Sequence, residues 1–187
     1  MVRYNAQWTF MNENIAEYIA KNLKARRQEK GWSLDSTAKA TGVSKAMLGQ
    51  IEREESSPTI ATLWKIATGL NCSFSSLLDQ GSASPHQHNF KDDVSMAVET
   101  LFPFSPVTSF EVFAITLSDH HRQLSPAHSN GVTEHIHVLS GELAVLSDGQ
   151  WRSISENQQF VLAADQPHGY EAKSGTCKFI DVIHYPQ

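Results

Sequence analysis

GVSKAMLGQIE, residues 42–52, decides how the first part of this chain folds. Val43, Met47, Leu48 and Ile51 recur at the three- and four-residue spacing of an amphipathic helix. Ser44 stands where an N-cap belongs. Lys45, Ala46, Gly49 and Gln50 are left on the opposite side, a face that is short, small or hydrogen-bonding. Such a face suits a DNA major groove, where Gln pairs bidentately with adenine and Lys reaches guanine or phosphate. Taken alone, the stretch fits an ordinary amphipathic surface helix equally well.

The flanking sequence narrows that choice. From residue 14 to residue 30, Ile15, Ile19, Leu23 and Arg27 keep a helical beat, Ala16 and Ala20 fill the adjoining stripe, and Gly31 supplies a stop. Ser33 caps a short second helix that carries Leu34, Ala38 and Lys39 and ends at Thr41 and Gly42. Residues 53–57 form a polar loop. Pro58 and Thr59 then open a fourth helix with Ile60, Leu63, Ile66, Ala67 and Leu70 on its apolar face. A fifth short helix is expected over residues 74–78. The second helix, a tight glycine turn and the third helix form a helix-turn-helix, with the third placed to enter the major groove.

The run SLDSTAKATGVSKAMLGQIEREESSPTIATLWKIATGL resembles the DNA-binding domain of the phage-repressor-like (Cro-type, XRE) family over residues 15–78. The resemblance implies that Ser44, Lys45, Ala46 and Gln50 face bases, that Gly49 permits close approach, and that Ser33 and Lys65 are candidates for phosphate contact. It also implies a structural ion pair between Arg27, ending the first helix, and Glu52, closing the third. Thr37 departs from the family, which usually carries Leu there, so looser packing of the second helix is expected.

Charge and cysteine content agree with a two-part chain. Ten Lys and Arg face eight Asp and Glu up to residue 80, and five face twelve beyond it, giving +2 and −7. A mildly basic module joined to an acidic one suits a polyanion-binding domain with a partner that does not touch the polyanion. Cys72 and Cys177 lie far apart and belong to no metal-ligand spacing, which argues against a disulfide framework. No apolar run approaches the ~20 residues that span a bilayer, and the opening MVRYNAQWTFMNEN lacks an apolar signal core. A cytoplasmic protein without a membrane partner is expected. Residues 1–10 read as a loosely held arm, or Met11 as an alternative start.

QGSASPHQHNFKDD, residues 80–93, has the composition of a connector. His86 and His88 make an HxH in it that suits a metal only if the segment is a strand; a solvated linker is the reading adopted. Domain limits of 12–80, 81–94 (linker) and 95–187 follow. From residue 95 the helical period gives way to short alternating runs, with strands expected over 96–102, 110–117, 135–139, 142–146, 151–154, 159–163 and 178–184. Asp148-Gly149 between two such runs is a hairpin signal. At least seven strands without intervening helices imply an antiparallel sandwich or barrel.

SPAHSNGVTEHIHVLSGELAVLSDGQWRSISENQQFVLAADQPHGY resembles the cupin family, whose fold is a double-stranded β-helix around a small site. His128, Glu134 and Gly141 fall at the spacing of the first cupin block, but Asn130 stands where a second His is usual. In the second block Glu156 replaces a Gly, while Pro167 and His168 remain. The resemblance implies that His128, Glu134 and His168 hold a divalent transition metal, zinc first. A polar pocket of hydrogen-bonded His and Glu without a metal is the competing account. Strand alternation sends Glu134, Ile136 and Val138 to one face; a register one residue off brings in His135 instead. Asn130, Phe160 and Tyr170 are the effector-pocket candidates. Phe160, Tyr170, Phe179 and Trp151 line the mouth or fill the barrel. His120, His121 and His184 read as surface or core histidines.

The whole therefore reads as a five-helix helix-turn-helix domain followed by a cupin. It resembles bacterial transcriptional regulators in which the cupin is the sensor. The implied partners are an operator in double-stranded DNA, a small polar effector such as an amino acid, and a second copy of the chain. The alternative is a metal-dependent cupin oxygenase or isomerase with a DNA-binding appendage, which the missing second His opposes.

Overall fold

The structure, a computed structural model, describes residues 15–79, 86–88 and 94–186. The expected start of the first helix at residue 14, the domain limit at residue 12 and the reading of residues 1–11 lie outside these residues. Five helices come first among the described residues: α1 (Ile15–Glu29), α2 (Leu34–Thr41), α3 (Lys45–Glu52), α4 (Ile60–Leu70) and α5 (Ser75–Leu78). Three of these starts have a side-chain cause. Ser33, Ser44 and Thr59 accept hydrogen bonds from the amides of Ser36, Met47 and Thr62, meeting donors that a helix N-terminus leaves unpaired. Gly42 ends α2 at φ 68°, a left-handed conformation that glycine adopts without steric cost, and so sets the turn into α3.

Ile19, Leu23, Leu48, Ile51, Leu63, Ile66 and Leu70 are buried together and form the helical core. Thr37 is fully buried at the position where Leu was expected. Its hydroxyl donates to the Ser33 carbonyl at 3.0 Å, so the substitution leaves no buried polar group unpaired. Met47, assigned to the buried face, is 39 % exposed, whereas Gly49, assigned to the outward face, is buried. A β-carbon on Gly49 would lie 3.1 Å from the Arg53 guanidinium and 3.7 Å from Leu34. The helix is thus rotated relative to the sequence reading, with its small residue turned toward α2.

Ten strands follow among the described residues: β1 (His86–His88), β2 (Met96–Ser105), β3 (Phe110–Leu117), β4 (Arg122–Ser125), β5 (Thr133–Ser140), β6 (Glu142–Ser147), β7 (Gln150–Ser155), β8 (Gln159–Ala163), β9 (His168–Ala172) and β10 (Cys177–His184). They form a six-stranded sheet in the order β1-β2-β3-β10-β5-β8 and a four-stranded sheet in the order β4-β9-β6-β7, all pairs antiparallel. Asp148 and Gly149 join β6 to β7 with φ of 53° and 73°, the positive pair that a type I′ hairpin requires. Residues 86–88, read as solvated linker, pair with β2 at the sheet edge, so the connector is shorter than residues 81–94.

The two parts share one hydrophobic core. Trp64 of α4 stacks on Phe74 with ring centroids 4.1 Å apart, and both meet Phe113 of β3 edge-on, at 6.1 and 5.6 Å. Glu111 of β3, fully buried, accepts from the backbone amides of Phe74 and Ser75 at 3.0 and 2.9 Å, capping α5 from the other domain. Tyr185 donates to the same carboxyl group.

Candidate functional site

Strand alternation places the central groups. On β5, Glu134, Ile136 and Val138 are buried and His135 is exposed, so the glutamate points inward and the alternative register is excluded. His168 opens β9 in the facing sheet. His128 lies on the loop after β4, held by its amide to the Ala164 carbonyl at 2.8 Å. These elements bring His128, Glu134 and His168 together, with one potential ligand atom from each lying within 4.8 Å of the others.

Hydrogen bonds orient the group. His128 Nε2 is 3.0 Å and His168 Nε2 is 3.4 Å from the same carboxylate oxygen, Glu134 Oε1. Each ring is fixed through its other nitrogen: His168 Nδ1 by the Gln166 carbonyl at 2.8 Å, His128 Nδ1 by the Thr68 hydroxyl at 3.1 Å. Tyr170 donates to Glu134 Oε2. Burial works to raise the Glu134 pKa, but the hydrogen bonds and charge of His128 and His168 outweigh it and hold the carboxyl at about 2. Burial likewise opposes the charged form of His168, and the Glu134 carboxylate more than offsets it, so its pKa is raised.

This donor set fits a divalent metal. Metal bonds of about 2.1 Å in a tetrahedral arrangement separate donors by about 3.4 Å, close to the two Nε2 to Oε1 distances. Outer hydrogen bonds to Nδ1 are also what a ligating histidine requires, since they fix the ring and leave Nε2 for the metal.

The predicted effector residues part company. Tyr170 is buried within the cluster, its ring tilted against that of Phe179 at 5.5 Å, and Phe179 fills the barrel. Phe160 shares the inward face of β8 and pairs with Ile136, but it lies under the Arg152 guanidinium and makes no bond to the cluster. Asn130 is exposed on the turn two residues after His128. Trp151, read as mouth or filling, is on the surface beneath Arg122.

Two members of the surroundings escaped the sequence reading. Asp181 of β10 is buried between Phe179 and Ile183, and its Oδ1 has no hydrogen-bond partner among the described residues. Burial, with the charges of Glu134 and Glu111 nearby, holds its carboxyl well above the usual range. An acid at an inward position of the apolar run FIDVI was the available signal. Thr68 carried none, because its partner lies 60 positions away.

On the helical side, Ser44, Lys45, Ala46 and Gln50 are exposed along α3, with Lys45 paired to Asp35 of α2 at 2.7 Å in a solvated contact. Ser33 and Lys65 are exposed as well. Arg27 and Glu52 form a two-pronged ion pair of 2.6 and 2.8 Å, and Arg27 also donates to the Trp32 carbonyl.

Two family models match the chain, one described as helix-turn-helix over residues 23–77 and one as cupin domain over residues 118–183. The HTH-type transcriptional regulator SutR of Escherichia coli (strain K12) is 45 % identical over 177 residues, covering 94 % of this chain and 99 % of the relative. A solved HTH_3 family transcriptional regulator from Vibrio cholerae superposes with a TM-score of 0.88 at 48 % identity, covering 92 % of this chain and 98 % of the other. The HTH-type transcriptional regulator SinR of Bacillus subtilis (strain 168) is 40 % identical over 63 residues, 33 % of this chain and 57 % of the relative.

Proposed function

Because the chain belongs to the helix-turn-helix transcriptional regulators that carry a cupin domain, we propose that it reads an operator as a homodimer and that its cupin holds a metal to which a small polar effector binds. Relatives that span the chain are named transcriptional regulators, which points away from an enzyme. No helix among the described residues is long and apolar enough to cross a membrane.

Lys45 and Gln50 reach base edges, Ser44 and Ala46 lie against the groove, and the buried Gly49 lets α3 pack close to α2. One recognition helix buries too little surface for a selective complex; two on a dimer read half-sites about one helical turn apart. The helical domain takes residues 12–80 and the cupin residues 95–187, with β1 added to its edge.

The observation that carries the sensing role is the convergence of His128 Nε2, His168 Nε2 and Glu134 Oε1, with both Nδ1 atoms tied elsewhere. Three protein ligands leave a zinc or similar dication with positions open to the oxygen of a ligand. Tyr170 holds the second oxygen of Glu134, so the carboxylate presents one oxygen to the centre. A carboxylate-bearing metabolite such as an amino acid suits a dication site.

Selection from a random-sequence duplex pool with the purified protein tests the DNA half. Enriched sites with two half-sites about 10 base pairs apart are expected, and Lys45→Ala and Gln50→Ala should each weaken binding roughly 5- to 150-fold, from a discrimination of about 1–3 kcal/mol per base contact. Enrichment of a single unrepeated site, or variants that bind unchanged, would overturn this reading.

A further inference from the structure

Of the two candidate metal histidines, His168 is held within its own domain, but His128 is held by the other one. The partner of its Nδ1 is Thr68 Oγ1 of α4, at 3.1 Å, and Trp64 one turn earlier on the same helix face lies with its ring 5.1 Å from the imidazole. Ser129, the next residue, donates to Asn71 Oδ1 at 2.9 Å, where α4 ends. Thr68 and His128 both line a cavity of about 570 Å³ along this seam. From α4 the contacts continue into the helix-turn-helix: a β-carbon on Gly69 would lie 2.6 Å from Thr41 Cα, at the end of α2 where the chain turns into α3.

We propose that Thr68, a residue of the helix-turn-helix domain, is a positioning residue for the cupin metal site, and that seating of α4 and occupation of the site are thereby linked. The inference rests on the metal reading above. A histidine that gives up Nε2 to a metal carries its proton on Nδ1, whereas one that donates from Nε2 to Glu134 accepts at Nδ1. A hydroxyl both donates and accepts, so Thr68 holds the ring in either tautomer. A bond that steadies His128 for the metal is, by reciprocity, steadied when the metal is present, and α4 is seated more firmly.

Zinc(II) alone is the probe, and the protein is the full chain. Thr68→Val, close in shape but without the hydroxyl, should bind zinc about 10–100-fold more weakly, the loss typical of removing an outer partner of a metal ligand. Thr68→Ser should restore affinity. Zinc should slow hydrogen exchange of the α4 amides in the parent protein and in Thr68→Ser, but not in Thr68→Val. Asn71→Gly keeps the left-handed cap and removes only the neighbouring seam bond; it should bind zinc as the parent does. Equal weakening by Asn71→Gly would mean general loosening of the seam and overturn the proposal. So would parental affinity in Thr68→Val, or α4 exchange indifferent to zinc. If the parent chain binds no zinc or other divalent metal, the metal reading itself falls, an outcome distinct from parental affinity in Thr68→Val.

Discussion

Two carboxyl groups outside the His128, Glu134 and His168 cluster show how single residues hold this molecule together. Glu52 closes α3 yet faces α1, with its side chain only 9 % exposed and both oxygens on Arg27. Glu52→Gln keeps the shape but removes the charge from a partly buried guanidinium, which should cost about 1–3 kcal/mol. A lowered melting temperature together with weaker operator binding is expected; weaker binding at unchanged stability would place Glu52 on the DNA instead. Glu111 behaves differently. Burial pushes its pKa up, and the donors from Ser75, Tyr185 and Phe74 bring it only part of the way back. A raised folded-state value means that the native protein holds this proton more tightly than the unfolded chain. Its contribution is therefore fully present below the ordinary carboxylate value and is lost as pH rises through the raised one. In denaturant titrations across that window, the advantage of the parent over Glu111→Gln should shrink with rising pH, and an advantage that grows would refute the assignment.

Elements with strong local signals were legible before any coordinates. The caps at Ser33, Ser44 and Thr59, the stop at Gly42 and the Asp148-Gly149 hairpin all act within a few residues, so sequence order carries them. Three strands were missed for the complementary reason. RQLS of β4 is short and polar, HGYEA of β9 contains a glycine, and HQH of β1 sits in connector-like sequence; sheet pairing supplies what their composition lacks. The α3 face was read half a step out because Gly49 has no side chain to mark its burial and Met47 looks apolar while standing exposed. Helix contacts of this kind also resist propensity. Alanine is the better helix former by about 1 kcal/mol, yet at Gly69 its methyl group would meet Thr41 Cα at 2.6 Å and the Ala40 carbonyl oxygen at 2.7 Å. Backbone cannot rotate aside as a side chain does, so Gly69→Ala should destabilise the protein by about 1–3 kcal/mol, the usual range for overpacking. A gain in melting temperature would show that α2 and α4 sit further apart than described.

At the scale of the whole molecule, the sequence divides what the fold joins. Composition, charge and period all change near residue 80, and the His128, Glu134 and His168 set was legible through the cupin resemblance within the β domain alone. The seam was invisible because Trp64, Phe74, Phe113 and Glu111 lie on separate elements of the two parts, and periodicity within an element says nothing of contacts between elements. Their contact makes the two domains share a core, and a shared core transmits stabilisation. Zinc that binds only the folded site adds RT ln(1 + [L]/Kd), about 2.7 kcal/mol at a hundredfold excess over Kd. If the domains unfold as one, that gain must appear in the helical signal of circular dichroism as fully as in any probe of the sheets, although every metal ligand belongs to the β domain. His128→Ala should abolish the gain in both signals. Trp64→Ala removes the residue that stacks on Phe74 and touches both Phe113 and the His128 ring. It should cost about 3–5 kcal/mol as a large core truncation, and beyond that loss it should loosen the coupling, so that zinc raises the β-domain transition more than the helical one. Equal zinc shifts of the two transitions in Trp64→Ala would mean that the aromatic seam is dispensable and that the contacts through Thr68, Asn71 and Glu111 carry the coupling on their own.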